Sequence, residues 1–441
     1  MLKTSLHNQT VKQAFSTVSV MLVISLLLFF RNPMAFTYPV PWSEDFTIFI
    51  RDEYNIGFPS TAFLLYAGYI HLLPRIIAWF SMTFGIEDAM RIMNLAVLLL
   101  KVLTFYYIYK SKEISSKLIK FSLLAYLVLV PFAVEIYNNV TNLQWWLIPL
   151  MATILIKHEH NLTLFICDIC ILTLCGLTGV NSVMFALPCV YLMLKVKSKE
   201  CLGKCSVVII CACIQLYCLY TSGRSYDSKL MYTGGGIDII NLFVNRVIYH
   251  TLFNFSSEKY INCIILFFYI SIFVFNIYYY RKQIFIKFIF LFSLVYSAAI
   301  LYNFLKWNPS FNKYLLYGFW SERYFVYLRI CSFVLMISSL NIFLKSLTSH
   351  HNYKRIMAYS CFLLCLIILK NYSVSSSFHY QFYDTQKYPI SIVSNFQYYD
   401  DIKQFQSAKT GEIVRFHYDA SPFWRCDLPF PAGASCYLEK K

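Results

Sequence analysis

Apolar runs of membrane-spanning length recur from residue 14 to residue 371 with no long polar gap between them, and that spacing leaves few architectures open. A single soluble core cannot absorb so many. With 58% hydrophobic and 14% charged residues and a mean hydropathy of +0.55, the chain lies outside the soluble globular range. The runs at 14–30, 88–108, 120–135, 143–156, 161–177, 180–194, 205–221, 261–280, 288–304, 324–344 and 356–371 predict an all-α polytopic membrane protein with about 11 transmembrane helices. The first run resembles a signal peptide but lacks a small-residue cleavage site before Arg31, so it is read as the first span. One integral membrane domain over 1–371 and a tail over 372–441 follow.

The net charge of +16 would suggest nucleic acid in a soluble protein, but its placement says otherwise. Alternate connections (1–13, 109–120, 157–160, 195–204, 281–287 and 345–355) hold 17 Lys and Arg against Glu113, Glu159 and Glu200. By the positive-inside rule these face the cytoplasm, and the charge is a topology signal, with no nucleic-acid partner implied. Residues 59–84 would pass as one more span. If they crossed, 15 of those 17 basic residues would move outside, so the segment is predicted to be a non-crossing helix starting at Phe58-Pro59-Ser60. The N-terminus is then cytoplasmic and the tail external. External material concentrates at 31–87, 222–260, 305–323 and 372–441. The short cytoplasmic loops show no Walker or Rossmann glycine pattern.

Candidate chemistry therefore belongs to the external side. Glu44 and Asp45 form an adjacent acidic pair just past the first membrane exit, able to act as a base, orient a sugar hydroxyl or hold a divalent cation; no other cofactor is indicated. Asp52-Glu53 reads as a solvated turn. On the predicted non-crossing helix His71 and Arg75 share a face, with Tyr66 and Tyr69 beside it, a surface suited to a phosphate and a sugar or to lipid headgroups. Glu135, Asn142, Gln144 and Trp145 gather at the turn after the third span, as stacking surface and amide hydrogen-bonding groups. Arg323 stands at the mouth of the tenth span and Arg329 lies about 9 Å deeper by helical rise. Its partner is either a lipid phosphate or an intramembrane acid such as Asp168, itself a functional acid or a structural one. Most cysteines lie in spans as small apolar fillers; Cys426 and Cys436 in the tail can pair as a disulfide in an oxidising compartment.

SEDF (43–46), GYIHLLPR (68–75), NVTNLQWW (139–146), GLTG (176–179), ERYF (322–325) and DLPFPAG (427–433), set in this layout, resemble the GT-C class of integral membrane glycosyltransferases. The nearer likeness is to bacterial and prophage O-antigen glucosyltransferases that convert lipopolysaccharide serotype. Each motif is short, while the likeness of layout covers most of the chain. The resemblance implies a multi-pass protein of the bacterial inner membrane with a periplasmic tail. Its donor is a sugar, glucose in this group, on undecaprenyl phosphate, loaded by a cytoplasmic synthase and turned outward by a small flippase. Its acceptor is lipid-linked O-antigen. Glu44 and Asp45 then map to the catalytic pair, and Arg323, Arg75 and Arg329 to the donor phosphate. His71, Tyr69, Glu135, Asn142, Gln144 and Trp145 map to substrate contacts. The chain departs from metal-dependent members in having no clear second carboxylate cluster. An O-antigen polymerase or a lipid-linked oligosaccharide flippase would share much of the layout.

Overall fold

A computed structural model describes residues 2–37, 39, 44–114, 116–130, 138–158, 161–222, 236–249, 251, 259–279, 284–306, 322–347, 400–417 and 435–439. The fold is mostly helical. It begins with α1 (Leu2–Arg31) and α2 (Met34–Thr37), then a π-helical turn at Asp45–Ile50 that runs into α3 (Arg51–Asn55). After a hairpin of β1 (Leu65–Tyr66) and β2 (Tyr69–Ile70) come α4 (Leu72–Met82), α5 (Ile86–Lys110), α6 (Lys117–Leu129) and α7 (Leu143–Ile156). The chain continues through α8 (Leu162–Gly176), α9 (Asn181–Val196), α10 (Lys199–Thr221) and α11 (Gly236–Phe243), the last followed by π-helical Val244–Tyr249. Among the described residues three more helices, α12 (Lys259–Tyr279), α13 (Ile284–Lys306) and α14 (Val326–Leu347), precede the tail.

Each predicted apolar segment from 14–30 to 324–344 has a helix at its position, and 356–371 lies outside the described residues. Among the described residues two helices, α5 and α10, are long and apolar enough to cross a membrane by length and composition. Several helices start in basic connections on a side-chain cap. Ser116, Asn161 and Ser198 each accept a hydrogen bond from the backbone N–H three residues on, opening α6, α8 and α10.

The sequence of α7, LQWWLIPLMATILI, is apolar on almost every side, and a helix of that kind must be surrounded. All 14 of its residues are buried, with α5, α8, α9, α10 and α14 packed around it. Its N-terminal end, carrying Asn142, Gln144 and Trp145, is the point on which the first loop converges.

Residues 59–84 differ from the expected single helix. The chain turns through 57–63 and forms the β1–β2 hairpin before α4 starts at Leu72. The reason lies at Ala67-Gly68, where both residues take positive φ (56° and 87°), as a two-residue hairpin turn requires. A Cβ on Gly68 would also sit 2.9 Å from Ser222 Oγ. The 11 residues of α4 rise about 16 Å, half of a hydrocarbon core of about 30 Å. His71 consequently precedes the helix, and Tyr66 and Tyr69 are strand residues.

The tail is more than a polar appendage. A short helix over 400–407 brings Phe405 against Tyr54 at 5.5 Å between ring centroids. Strands β3 (Ile413–His417) and β4 (Ser435–Glu439) pair antiparallel, with Phe416 opposite Cys436. Strand β4 packs against the π-helical turn at 45–50, and Ile402, Phe405 and Val414 join the main buried cluster. The tail and the first loop therefore lie at one end of the bundle. Cys426 is outside the described residues, and so is its proposed pairing with Cys436.

Candidate functional site

The acidic pair divides its labour. Asp45 is fully buried and faces the turn before α7. Its Oδ1 accepts from Thr141 N at 2.8 Å and from Thr141 Oγ1 at 2.6 Å, and its Oδ2 from Val140 N at 3.2 Å. A buried carboxyl that accepts from the backbone and hydroxyl of the two residues leading into α7 anchors that end of the helix. Burial pushes its carboxyl from an ordinary 3.8 up to about 7, against the pull of the Thr141 hydroxyl and the Thr141 and Val140 N–H groups, while the Glu44 charge adds to the rise.

The sign of the resulting pH dependence follows from linkage. The unfolded chain releases this proton near 3.8 and the folded chain near 7. Asp45 therefore contributes most to stability below about pH 4, and loses that contribution as pH rises through 7. Asp45→Asn should flatten this part of the melting-temperature profile of the detergent-purified protein. At pH 5 it should cost about 1–3 kcal/mol, because one backbone N–H then meets an NH2 group. An unchanged slope in the variant contradicts the anchor.

Glu44 is differently placed. Its Oε1 accepts from the Tyr66 hydroxyl at 3.3 Å, whereas its Oε2 is buried without a hydrogen-bond partner among the described residues. Burial, then the Glu44 charge, pushes the Tyr66 phenol up, and the positive charge of Arg323 opposes this. Tyr66, Glu44 and Arg323 thus share one electrostatic neighbourhood. The Arg323 guanidinium also lies 5.2 Å from the Tyr324 ring centroid.

His71 completes the cluster. It is buried against Tyr69 (4.5 Å between ring centroids), Tyr66 (5.5 Å) and Phe49 (5.7 Å). Neither ring nitrogen has a partner at hydrogen-bonding geometry among the described residues. Desolvation first, and the Arg75 charge second, lower its pKa to about 3, opposed by the Tyr66 backbone. The ring is neutral at physiological pH, with one donor and one acceptor nitrogen.

What holds the hairpin here is Gln215 on α10, a residue the sequence reading passed over. Its side chain accepts from Ile70 N at 2.9 Å and donates to Ile70 O and Gly179 O, both at 3.1 Å. Leu72 N to Leu177 O and Leu73 N to Thr178 Oγ1, both at 3.0 Å, continue the seam between hairpin and GLTG turn. Gln144 also meets this turn: a Cβ on Gly179 would fall 1.8 Å from Gln144 Oε1, and Gly179 has φ +82°. Gln144 O accepts from Asn181 Nδ2 at 2.6 Å. Asn142 occupies the N-cap position of α7 without a side-chain cap bond, is buried, and its backbone N–H donates to Asn139 Oδ1 at 2.8 Å. The signal for Gln215 was a lone amide in an apolar helix. Thr141 gave none beyond lying in NVTNLQWW.

Several expectations are corrected. Asp52 and Glu53 are not a solvated turn. Glu53 is buried and accepts from Phe58 N (2.9 Å) and Thr61 Oγ1 (2.6 Å), while Asp52 pairs with Arg75 at 2.8 Å. Arg75, only 1% exposed, is committed to that ion pair and to Phe49, whose ring centroid lies 5.0 Å from it, which removes it from the donor-phosphate set. Arg329 is fully buried and donates from Nε to Arg246 O at 2.6 Å. Asp168 is not its partner, because that carboxylate pairs with Lys204 at 2.8 Å and Lys157 at 3.4 Å. Glu135 lies outside the described residues. A divalent cation shared by Glu44 and Asp45 does not fit, since both Asp45 oxygens already face N–H and O–H donors.

Glu44, Tyr69, His71, Gln144, Trp145 and Arg323 thus gather at the end of the bundle where Asp45 and Asn139 fix the backbone before α7. No family model, curated protein or solved structure matches the chain.

Proposed function

We propose that the chain is a polytopic inner-membrane glycosyltransferase that moves a hexose, glucose by the resemblance above, from undecaprenyl phosphate to lipid-linked O-antigen at the periplasmic face. The observation that carries this reading is the grouping at one end of the bundle of a half-buried carboxylate whose buried Oε2 has no hydrogen-bond partner among the described residues, Glu44, a guanidinium, Arg323, and a neutral buried imidazole, His71. The basic connections on the other side of the chain, and the packing of the tail beside the first loop, support the eleven-span orientation.

In this reading Glu44 takes the proton of an acceptor hydroxyl as its oxygen bonds to C1 of the donor hexose. The bond from C1 to the phosphate oxygen breaks, and its electron pair leaves with the polyprenyl phosphate. Arg323 faces the charge that develops there, and His71 orients a sugar hydroxyl. A lipid phosphate is already a competent leaving group, so the protein need supply only a base, a counter-charge and positioning. A cytoplasmic synthase and a flippase would provide the donor.

Structural analysis of the host O-antigen with and without the gene tests this. An added hexose branch on an otherwise unchanged repeat is expected. Altered chain length with no branch would transfer the case to a polymerase.

A further inference from the structure

Beyond Arg323 the buried surface changes character. Tyr324 follows it directly, and its ring meets Trp145 edge-on at 5.4 Å between centroids. Trp145 in turn meets Tyr296 of α13 at 6.4 Å, and Tyr296 meets Tyr327 at 5.6 Å. Trp145 and Tyr296 are 8% and 3% exposed. The Trp145 Nε1 and the Tyr296 hydroxyl have no hydrogen-bond partner among the described residues, while the Tyr327 hydroxyl pairs with Cys331. An aromatic wall serving only as packing would be built from Phe and Leu, because a buried N–H or O–H left unpaired is unfavourable. Two such groups on touching rings, on a wall that reaches an arginine through Tyr324, point to a polar occupant.

We propose that the wall formed by Trp145, Tyr296 and Tyr324 is a hexopyranose subsite that receives the sugar of the phosphate-linked donor, with the Trp145 N–H and the Tyr296 hydroxyl bonding to sugar hydroxyls. This deepens the transferase reading and rests on it. The order along the site suits a glycosyl phosphate. The Arg323 charge acts on Tyr66, which donates to Glu44, and its guanidinium lies 5.2 Å from the ring centroid of Tyr324, the first residue of the wall. A phosphate held at Arg323 therefore places the sugar attached to it within reach of Tyr324 and Trp145. An isoprenoid chain could lie on aromatic faces too, but it would leave the N–H and O–H groups unpaired.

Trp145→Phe and Tyr296→Phe remove the two donors and keep the rings. The test measures binding of glucosyl polyprenyl phosphate and of unglycosylated polyprenyl phosphate to the full chain, reconstituted in phosphatidylethanolamine and phosphatidylglycerol vesicles. Each variant should bind the glucosylated lipid about tenfold more weakly and the bare lipid as wild type does. Unchanged binding of both lipids, or equal weakening of both, overturns the subsite. If that occurs while Glu44→Gln still loses transfer, the subsite falls and the transferase reading stands. If wild type binds neither lipid, both fall.

Discussion

Replacing Glu44 by glutamine is expected to lower hexose transfer by about 10^2- to 10^4-fold, the range contributed by a positioned general base. The protein should stay folded and inserted. The variant keeps the shape of the side chain and the Oε1 that accepts from Tyr66. What changes is Oε2, the buried oxygen without a partner, which becomes an NH2 group unable to take a proton. Because Glu44 plays no part in the bonds that fix Val140 and Thr141, melting temperature should move little. Asp45→Asn should behave oppositely, losing stability and transfer together. Transfer per folded Glu44→Gln molecule within threefold of wild type would remove Glu44 from the chemistry.

The largest stability effect is expected at the other end of the bundle. Asp168 and Lys204 are both fully buried, with 2.8 Å between their charged atoms. The Asp168 Oδ1 also accepts from the Tyr107 hydroxyl at 3.0 Å, and Lys204 donates to the carbonyls of Lys157 (2.9 Å) and Ile154 (3.3 Å). One cluster thereby ties α5, α7, α8 and α10 together. Asp168→Ala leaves the Lys204 ammonium buried without its counter-charge and should cost about 3–5 kcal/mol, as breaking one side of a buried pair does. That is a large part of a stability of about 5–15 kcal/mol. Replacing both partners by apolar residues, Asp168→Leu with Lys204→Met, should restore most of the loss, because the attraction of such a pair barely exceeds its desolvation. Detergent melting of the single and double variants checks this, and a double variant as unstable as Asp168→Ala would show that packing, not charge, holds these helices.

How much of this the sequence made legible depends on the range of the interaction concerned. The position of α7 was legible to the residue, since a run apolar on all sides has one stable environment. The adjacency of Glu44 and Asp45 was legible as well. Their different roles were not, because the groups that claim Asp45 lie about a hundred positions further along the chain. The hairpin was hidden inside an apolar stretch, and its signal was Ala67-Gly68, of which only the glycine advertises positive φ. Arg75 looked free because its partner Asp52 lies on a segment that reads as surface. Lys204 was assigned to a loop, but the Ser198 cap starts α10 early enough to carry it inside, onto Asp168.

The most direct test is transfer by the purified chain in vesicles, supplied with radiolabelled glucosyl polyprenyl phosphate and lipid-linked O-antigen. The account predicts label moving to the acceptor, dependent on Arg323 and on Glu44, with bare polyprenyl phosphate released in equal amount. A folded chain that binds the donor lipid yet leaves the label on it, across the polyprenyl phosphate hexoses and O-antigen acceptors tried, would contradict it.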